Sequence, residues 1–406
     1  MSTELKGSKQ GSVIGTILLI GGSCIGAGML GLPLSSAMTG FWPSTLMFIL
    51  TCLFMVSTGV LLLETTLFFK GEVNLISMAG KTLGKGAKRA VFALFIFLFY
   101  SLIVAYSAGS GALFADFCEQ FLGIRPEEWV GGALFNLLFG FLVYMGTGAV
   151  DRVNRLLMGG LIISYLALVY LGIEFVDPDK LKVANWGNAL WTLPVMVISF
   201  GYHNLVPSLS RYLGHDAPRI RFAIFAGCLL PLAAYMLWDY LILGIIPLER
   251  FKEAAEGGRM VTHSFREVVG EASVVQIAEY FAFFAIVTSF IGVALSFVDF
   301  LSDAFQVKKT PSSRFLITLL ALLPPYIFSL VYPKIFLMAL DAAGGFGAVI
   351  LFGIIPAMMV WSGRYRKKLW EKPLLPFGRL GLLLVIFFSL VVFVVELISA
   401  VQGRGF

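Results

Sequence analysis

Two short segments of the chain combine helix-breaking residues with polar groups that can bind a ligand. Residues 21–28 read GGSCIGAG, and residues 199–208 read SFGYHNLVPS. An interrupted helix leaves free N–H groups at the start of one half and free C=O groups at the end of the other. The N–H end suits a carboxylate, and the C=O end suits an ammonium group or a metal cation. Two such interruptions side by side predict a site for a zwitterion.

The residues of these two segments form the predicted substrate site. Glycine at three of the positions lets a ligand approach the backbone without meeting a Cβ atom. We expect residues 23–28 to hold a carboxylate and residues 200–203 to hold an amine. The alternative is helix packing, because Gly22 and Gly26 have the spacing of small residues at helix contacts. The predicted set is Gly22, Ser23, Cys24, Ile25, Gly26, Ala27, Gly28, Phe200, Gly201, Tyr202, His203 and Asn204.

Ionisable side chains inside long apolar segments are costly in a membrane and are therefore functional candidates. His203 is the only histidine inside such a segment, and imidazole titrates close to neutral pH. It can bind a proton, or it can hold the break open through a hydrogen bond. Glu64 and Asp341 are further proton-binding candidates, although we favour a structural role for Glu64. Other acidic residues in or near these segments are Asp239, Asp299 and Glu396.

Two adjacent hydroxyl groups, those of Thr288 and Ser289, are candidates for binding sodium together with backbone carbonyls of residues 21–28. Oxygen ligands suit such a cation, but hydroxyls in helices more often bond the local backbone. The chain shows no clustered His, Cys and Asp residues and no metal-ligand spacing, so we expect no cofactor and no enzymatic activity.

These candidate residues lie on membrane-spanning elements. The chain is 58% hydrophobic and only 13% charged, and apolar runs long enough to cross a bilayer recur throughout its 406 residues. Continuous runs without alternation predict helices rather than barrel strands. We predict eleven spans, at 12–38, 43–69, 89–121, 129–149, 156–176, 189–211, 221–246, 273–302, 314–331, 335–361 and 376–401.

The positive charges indicate the orientation of these spans. If the N-terminus is cytoplasmic, 21 of the 30 Lys and Arg residues fall in or beside cytoplasmic loops and 9 on the other side. The positive-inside rule therefore predicts a cytoplasmic N-terminus, and eleven spans put the C-terminus outside. The net charge of +6 reflects this topology and does not indicate nucleic-acid binding.

The two interrupted spans, the first and the sixth, are five spans apart. Spans 1–5 and 6–10 therefore form two comparable halves, inverted because each contains an odd number of spans. Within one domain of residues 1–406, the predicted repeats are 1–176 and 189–361, with an extra helix at 376–401. Paired interrupted spans at matching positions indicate a transporter binding site.

Residues 22–33, reading GSCIGAGMLGLP, resemble the first-span signature of the hydroxy/aromatic amino-acid permease family. Residues 199–203, reading SFGYH, and VPSL at 206–209 resemble the sixth-span signature, and LLLE at 61–64 resembles the end of the second span. Cys24 and Asn204 depart from the family pattern. Within the family, the chain is similar to bacterial tyrosine permeases. The resemblance implies the inverted-repeat fold of the amino acid–polyamine–organocation superfamily. It also implies that Tyr106 in span 3 covers the substrate; the alternative is that its ring only packs against neighbouring side chains.

The resemblance also implies the function. We expect proton symport of an aromatic amino acid into a bacterial cell across the inner membrane, with tyrosine as the first expected substrate and tryptophan as the second. The alternatives are a sodium-coupled or broader-specificity amino-acid transporter and, in another class, a channel or a structural membrane protein. A channel should show rings of polar residues along a pore rather than two broken helices. The expected partners are the amino acid, the coupling proton and membrane lipids.

Overall fold

The computed structural model describes residues 11–69, 71, 73–257, 261, 268–307, 310–332, 334–369, 373–376 and 378–402. Within these ranges the regular secondary structure is entirely helical, and no strand is present. Ten helices are long and apolar enough to cross a membrane, and a bent helix pair at the start of the chain brings the number of spans to eleven. The predicted all-helical membrane architecture with eleven spans is confirmed.

Spans 1 and 6 are each divided into two helices. Span 1 consists of Val13–Cys24 and Ala27–Ala37, and span 6 consists of Leu193–Ser199 and Val206–Tyr212, preceded by a 3₁₀ segment at Trp186–Thr192. The other spans are Phe41–Leu67 (span 2), Lys85–Leu122 (span 3), Glu128–Met145 (span 4), Thr147–Gly172 (span 5), Ala217–Ile245 (span 7), Ala272–Ala304 (span 8), Pro311–Val331 (span 9), Phe336–Arg366 (span 10) and Gly378–Gln402 (span 11).

Short helices in the connections were not predicted from the sequence. Leu75–Leu83 follows span 2 and is capped by Asn74, which exchanges hydrogen bonds with Ser77 in a capping box. A second connecting helix, Leu248–Gly257, follows span 7.

Two glycines allow sharp connections between consecutive spans. Gly40, before span 2, has a φ of +90°, and Gly146, between spans 4 and 5, has a φ of +103°, in the left-handed region that favours glycine. The tight turn at Gly146 brings the start of span 5 forward to Thr147 rather than the predicted residue 156. The predicted start is too late because residues 151–155 are largely polar, a composition that favours a loop. In the structure they form the exposed end of the helix, where Arg155 pairs with Asp151 at 2.9 Å.

Spans 2, 6 and 10 lie at the centre of the bundle, whereas spans 5, 9 and 11 are mostly on its surface. Span 10 is the most buried, and its middle, Ala343–Ile354, widens into a π-helix, a feature that often marks functional sites. The widened segment fits closely against its neighbours because it contains small residues. A Cβ atom at Gly344 would overlap the carbonyl oxygen of Pro194 in span 6.

Candidate functional site

The helix of span 1 is interrupted at Ile25 and Gly26, both of which have extended backbone conformations. The two halves of the span meet at an angle of 56°. At the start of the second half, the N–H group of Ala27 donates to the Oγ atom of Ser289 in span 8, at 2.8 Å. A Cβ atom at Gly26 would overlap that same oxygen, so only glycine fits against span 8 at this position.

Span 6 is interrupted between Ser199 and Val206. At this break the chain forms tight local turns, in which the Gly201 N–H group bonds the Ile198 carbonyl and the Leu205 N–H group bonds the Tyr202 carbonyl. Both predicted helix breaks are therefore present, and each lies in the first span of a set of five.

A single side chain of span 7 contacts both breaks. The hydroxyl oxygen of Tyr235 lies 2.6 Å from the carbonyl oxygen of Cys24 and 2.7 Å from that of Ser199, the last helical residues before the two breaks. One turn further along span 7, the indole N–H group of Trp238 donates to the Met29 carbonyl at 3.0 Å. Span 7 thus holds span 1 on both sides of its break.

A cavity of about 500 Å³ adjoins both breaks. Its floor is the backbone of span 1 from Gly22 to Gly28, together with Gly201 and Asn204 of span 6. Its walls are mainly apolar and aromatic, as in most small-molecule sites. The wall residues include Phe95, Phe99, Tyr106, Met158, Leu340 and Phe352.

The cavity lies on one side of the breaks. Its outermost lining residues are Leu18 early in span 1, Asn154 early in span 5 and Ser296 late in span 8. Because alternate spans run in opposite directions, all three lie towards the membrane face at which span 1 begins, which we call the N-terminal face. Towards the opposite face, Phe336 of span 10 packs onto Gly109 of span 3.

The residues lining this cavity carry no charged side chain within the described part of the chain. Polar contacts in the cavity come from the backbone and from neutral groups such as Ser23, Asn154, Asn204 and Thr288. The free backbone groups at the helix ends therefore supply the partial charges in the cavity. Such a site suits a zwitterion whose side chain is itself uncharged.

The structure brings many of the predicted site residues together around the cavity. These are Gly22, Ser23, Cys24, Ile25, Gly26, Ala27, Gly28, Tyr106, Gly201, Asn204, Thr288 and Ser289. Phe200 and Tyr202 do not line the cavity. The Phe200 ring packs edge-on against Tyr235, with ring centroids 5.0 Å apart, and the Tyr202 hydroxyl donates to the Met55 carbonyl in span 2 at 3.0 Å.

His203 is fully buried and also lies outside the cavity lining. Its Nε2 atom is 2.8 Å from the hydroxyl of Thr58 in span 2, and its ring stacks on Phe352 of span 10 at 4.8 Å. Its Nδ1 atom has no hydrogen-bond partner among the described residues. A protonated imidazole donates two hydrogen bonds, so this environment suits the neutral ring.

Glu64 is fully buried at the end of span 2 and forms a bidentate ion pair with Arg364 of span 10. Both oxygen–nitrogen distances are 2.6 Å, and the Leu374 N–H group donates to the same carboxylate at 2.9 Å. These bonds tie the ends of spans 2 and 10 to the segment that precedes span 11. The geometry therefore provides a structural role for Glu64.

Thr288 and Ser289 use their hydroxyl groups within the protein. Thr288 donates to the backbone of its own helix, at Phe284 and Ala285, while Ser289 accepts from span 1. Asp341 lies in span 10 outside the cavity, close enough to Glu396 in span 11 for their charges to interact.

The other acidic candidates are also outside the cavity lining. Asp239 is buried in span 7, where Ser36 of span 1 is a neighbouring polar group. Asp299 lines a separate cavity at the N-terminal face together with Asp303 and Arg314.

The sequence analysis missed Tyr235 and Trp238, which support the breaks from behind. A usable signal was present, because the two residues are three positions apart on one helix face and buried Tyr and Trp side chains need hydrogen-bond partners. In the sequence, Arg364 contributes only to the positive charges that indicate the orientation of the spans. In the structure it forms the ion pair with Glu64.

Comparison with known proteins identifies the family. The model of the tryptophan/tyrosine permease family matches residues 9–396. The chain belongs to the tryptophan/tyrosine permease family. A tryptophan-specific transport protein of Pseudomonas aeruginosa is 33% identical to this permease over 373 residues, which cover 88% of each chain. Tyrosine-specific transport system 1 of Haemophilus influenzae is 30% identical, covering 86% of this chain and 88% of that one.

A solved structure shares the fold of the permease. The crystal structure of MhsT in complex with L-phenylalanine superimposes with a TM-score of 0.65, covering 97% of this chain and all of that chain at 15% sequence identity. The arrangement of five plus five inverted spans with broken helices 1 and 6 is thereby confirmed. The permease is a multi-pass membrane transport protein of bacterial type, and its relatives are transport proteins rather than enzymes.

Proposed function

We propose that the permease imports an aromatic amino acid together with a proton by alternating access, with tyrosine as the preferred substrate and tryptophan as the second. The observation that carries this proposal is the cavity of about 500 Å³ at the junction of two broken helices, whose lining is uncharged and includes four aromatic rings. Its backbone floor suits the zwitterion, and its walls suit an aromatic ring. The names of its relatives, which specify tryptophan or tyrosine, support the same substrate class.

The substrate carboxylate binds at the start of the second half of span 1. The Ala27 N–H group is already bonded to Ser289, whereas the N–H groups of Gly26 and Gly28 make no hydrogen bond to another described residue. The ammonium group binds towards span 6, near the carbonyl groups of Ser199 and Gly201, where helix-end carbonyls have acceptor capacity left. This assignment keeps the two charges of the zwitterion on opposite sides of the junction.

The preference for tyrosine follows from the polar groups at the other end of the cavity. Asn154 offers both a donor and an acceptor, and the Ser296 hydroxyl donates to Gly292, which leaves its oxygen free to accept. A phenol hydroxyl can donate and accept there, whereas an indole N–H group can only donate.

The coupling proton is assigned to His203. The cavity opens at the N-terminal face, which the positive-inside rule predicts to be cytoplasmic, and this opening supports an inward-facing conformation. In an inward-facing conformation His203 has released its proton to the cytoplasm and is neutral. The Nδ1 atom, which has no partner among the described residues, agrees with a neutral ring. Sodium at Thr288 and Ser289 is the competing possibility, although both hydroxyls already serve helix contacts.

The test is uptake into vesicles that contain the purified permease. Labelled tyrosine, tryptophan, phenylalanine and serine are supplied while pH and sodium gradients are imposed separately. We expect an acidic exterior to drive tyrosine accumulation and a sodium gradient to have no effect. Accumulation driven only by sodium would overturn the assignment of the coupling ion, and preferential uptake of serine would overturn the substrate class.

Labelling of single cysteines tests the orientation. Residue 252 is exposed on the connecting helix after span 7 and should be accessible from the periplasm. Labelling of this residue only from the cytoplasm would reverse the topology and the inward-facing assignment.

A further inference from the structure

Tyr235 joins the two breaks through one hydroxyl group. The side chain is fully buried and stands behind the cavity rather than in its lining. Its oxygen is 2.6 Å from the Cys24 carbonyl oxygen and 2.7 Å from the Ser199 carbonyl oxygen. Both of these residues line the cavity. One span 7 side chain therefore lies between the two ends at which the broken helices offer carbonyl groups to a ligand.

A tyrosine hydroxyl carries a single hydrogen. It can make a good hydrogen bond to only one of the two carbonyl oxygens at a time. The other carbonyl then faces the lone pairs of the hydroxyl oxygen at short range without a donor. The Tyr235 hydroxyl therefore supplies a donor to only one of the two carbonyls, and the second carbonyl keeps acceptor capacity at the cavity.

The position of the hydroxyl is fixed by packing. The Tyr235 ring is in edge contact with Phe200, at 5.0 Å, and next to Phe48, at 6.1 Å between centroids. Both phenylalanines are fully buried. The hydroxyl thus has little freedom to turn away from either carbonyl.

We propose that Tyr235 is a positioning residue for the ammonium group of the substrate. It holds the Cys24 and Ser199 carbonyls at a fixed separation and leaves them short of one donor, which the substrate ammonium supplies. With substrate bound, the hydroxyl donates to one carbonyl and the ammonium group donates to the other. The inference rests on the proposed function in requiring an amino acid as substrate, but it does not depend on the coupling ion.

The test compares a substrate with an analogue that lacks the ammonium group. Hydroxyphenylpropanoate retains the carboxylate and phenol of tyrosine but has no amine. Binding of both compounds to the purified full-length permease is measured for wild type and Tyr235→Phe. We expect the variant to bind tyrosine about tenfold more weakly, roughly the worth of one hydrogen bond, because the carbonyl that accepts from the ammonium group is no longer held in position. Its affinity for hydroxyphenylpropanoate should change less than about twofold, on the same scale.

Tyr165→Phe is the matched control. It removes the same hydroxyl group from a buried tyrosine that also bonds a backbone carbonyl of this region, but its partner is Ala234 and not a residue of either break. We expect this variant to bind both compounds as the wild type does. In counterflow, Tyr235→Phe should raise the KM for tyrosine while leaving kcat close to the wild-type value.

The outcomes separate this proposal from the proposed function. If wild type binds no aromatic amino acid, the proposed substrate class is wrong, and this role of Tyr235 is wrong with it. If wild type binds tyrosine and Tyr235→Phe binds it equally well, only the Tyr235 proposal is overturned. Equal weakening for tyrosine and for hydroxyphenylpropanoate would also overturn it, because the hydroxyl would then maintain the fold without acting on the ammonium site.

Discussion

The two helix breaks use their residues in different ways. At the break in span 1, small residues expose the backbone to the cavity. The Tyr235 hydroxyl, which donates to Cys24, and the Ser289 hydroxyl, which accepts from Ala27, hold that backbone in place. At the break in span 6, Tyr202 and His203 turn away from the cavity and anchor to span 2. The span 1 break thus exposes its backbone to the cavity, whereas the span 6 break is braced by its own side chains. Both breaks interrupt the helical hydrogen bonds, but they can be distinguished by the size of their side chains. Small residues expose the backbone, and large residues anchor it to a neighbouring span.

From the difference between the two breaks, we expect the largest loss of uptake from a substitution of Gly26. We expect Gly26→Val to abolish uptake, because a Cβ atom there overlaps Ser289 and the branches extend into the ligand's approach. Uptake of labelled tyrosine and the amount of permease in the membrane are the measurements. Gly159→Val in span 5 is the control, since no atom lies within 4 Å of a Cβ placed there. Normal uptake by Gly26→Val would show that the span 1 break is not the binding surface.

A second prediction tests the assignment of the coupling proton to the span 6 break. His203→Gln keeps a polar side chain facing Thr58 but removes titration. We expect the variant to exchange labelled for unlabelled substrate at close to the wild-type rate, while the accumulation driven by an acidic exterior is lost. If the variant accumulates substrate as strongly as wild type, His203 only braces the break, and Asp341 becomes the next candidate.

A smaller effect is expected from the hydroxyl group that caps span 1. Ser289→Ala removes the acceptor for the Ala27 N–H group, and a capping interaction is typically worth about 1 kcal/mol. We expect the KM for tyrosine to rise by roughly threefold to tenfold, since the backbone that binds the carboxylate becomes less ordered. Initial uptake rates over a range of tyrosine concentrations measure the change. An unchanged KM would mean that the break keeps its shape without this contact.

The smallest functional effect is expected at Tyr202. Tyr202→Phe loses the bond to Met55 in the protein interior, which corresponds to about 1 kcal/mol of stability. The melting temperature in detergent should fall by a few degrees, an order of magnitude typical of such a loss. The KM should stay at the wild-type value because the hydroxyl faces away from the cavity. A clear rise in KM would place Tyr202 at the substrate and remove the contrast between the two breaks.

The sequence was sufficient for the spans and for the positions of both breaks. Long apolar runs can only be helices in lipid, and the clustered helix breakers around Gly26 and Pro207 indicated where two of these helices are interrupted. A single proline such as Pro231 lies within a continuous span. The floor of the cavity could be predicted for the same reason, since a break exposes its own backbone.

The directions of side chains could not be predicted in the same way. Within the tight turns of the span 6 break, the regular helical period no longer determines which face a residue occupies, so the sequence did not indicate that the His203 ring faces span 2 rather than the cavity. Contacts between distant spans, such as that of Tyr235 with Cys24 or Glu64 with Arg364, depend on how each helix is rotated in the bundle. The sequence pattern within one helix does not indicate that rotation.

The absence of charged side chains from the described cavity lining has a consequence for the membrane voltage. When an empty site of this kind turns from one face to the other, it carries no charge of its own through the electric field. A zwitterion with a neutral side chain adds none. If the permease couples transport to a proton as proposed, the potential acts on that proton, with about 2.3 kcal/mol per charge for each 100 mV. A single co-transported charge would thus support roughly fiftyfold accumulation per 100 mV, and the empty cavity itself would add no charge movement to the cycle.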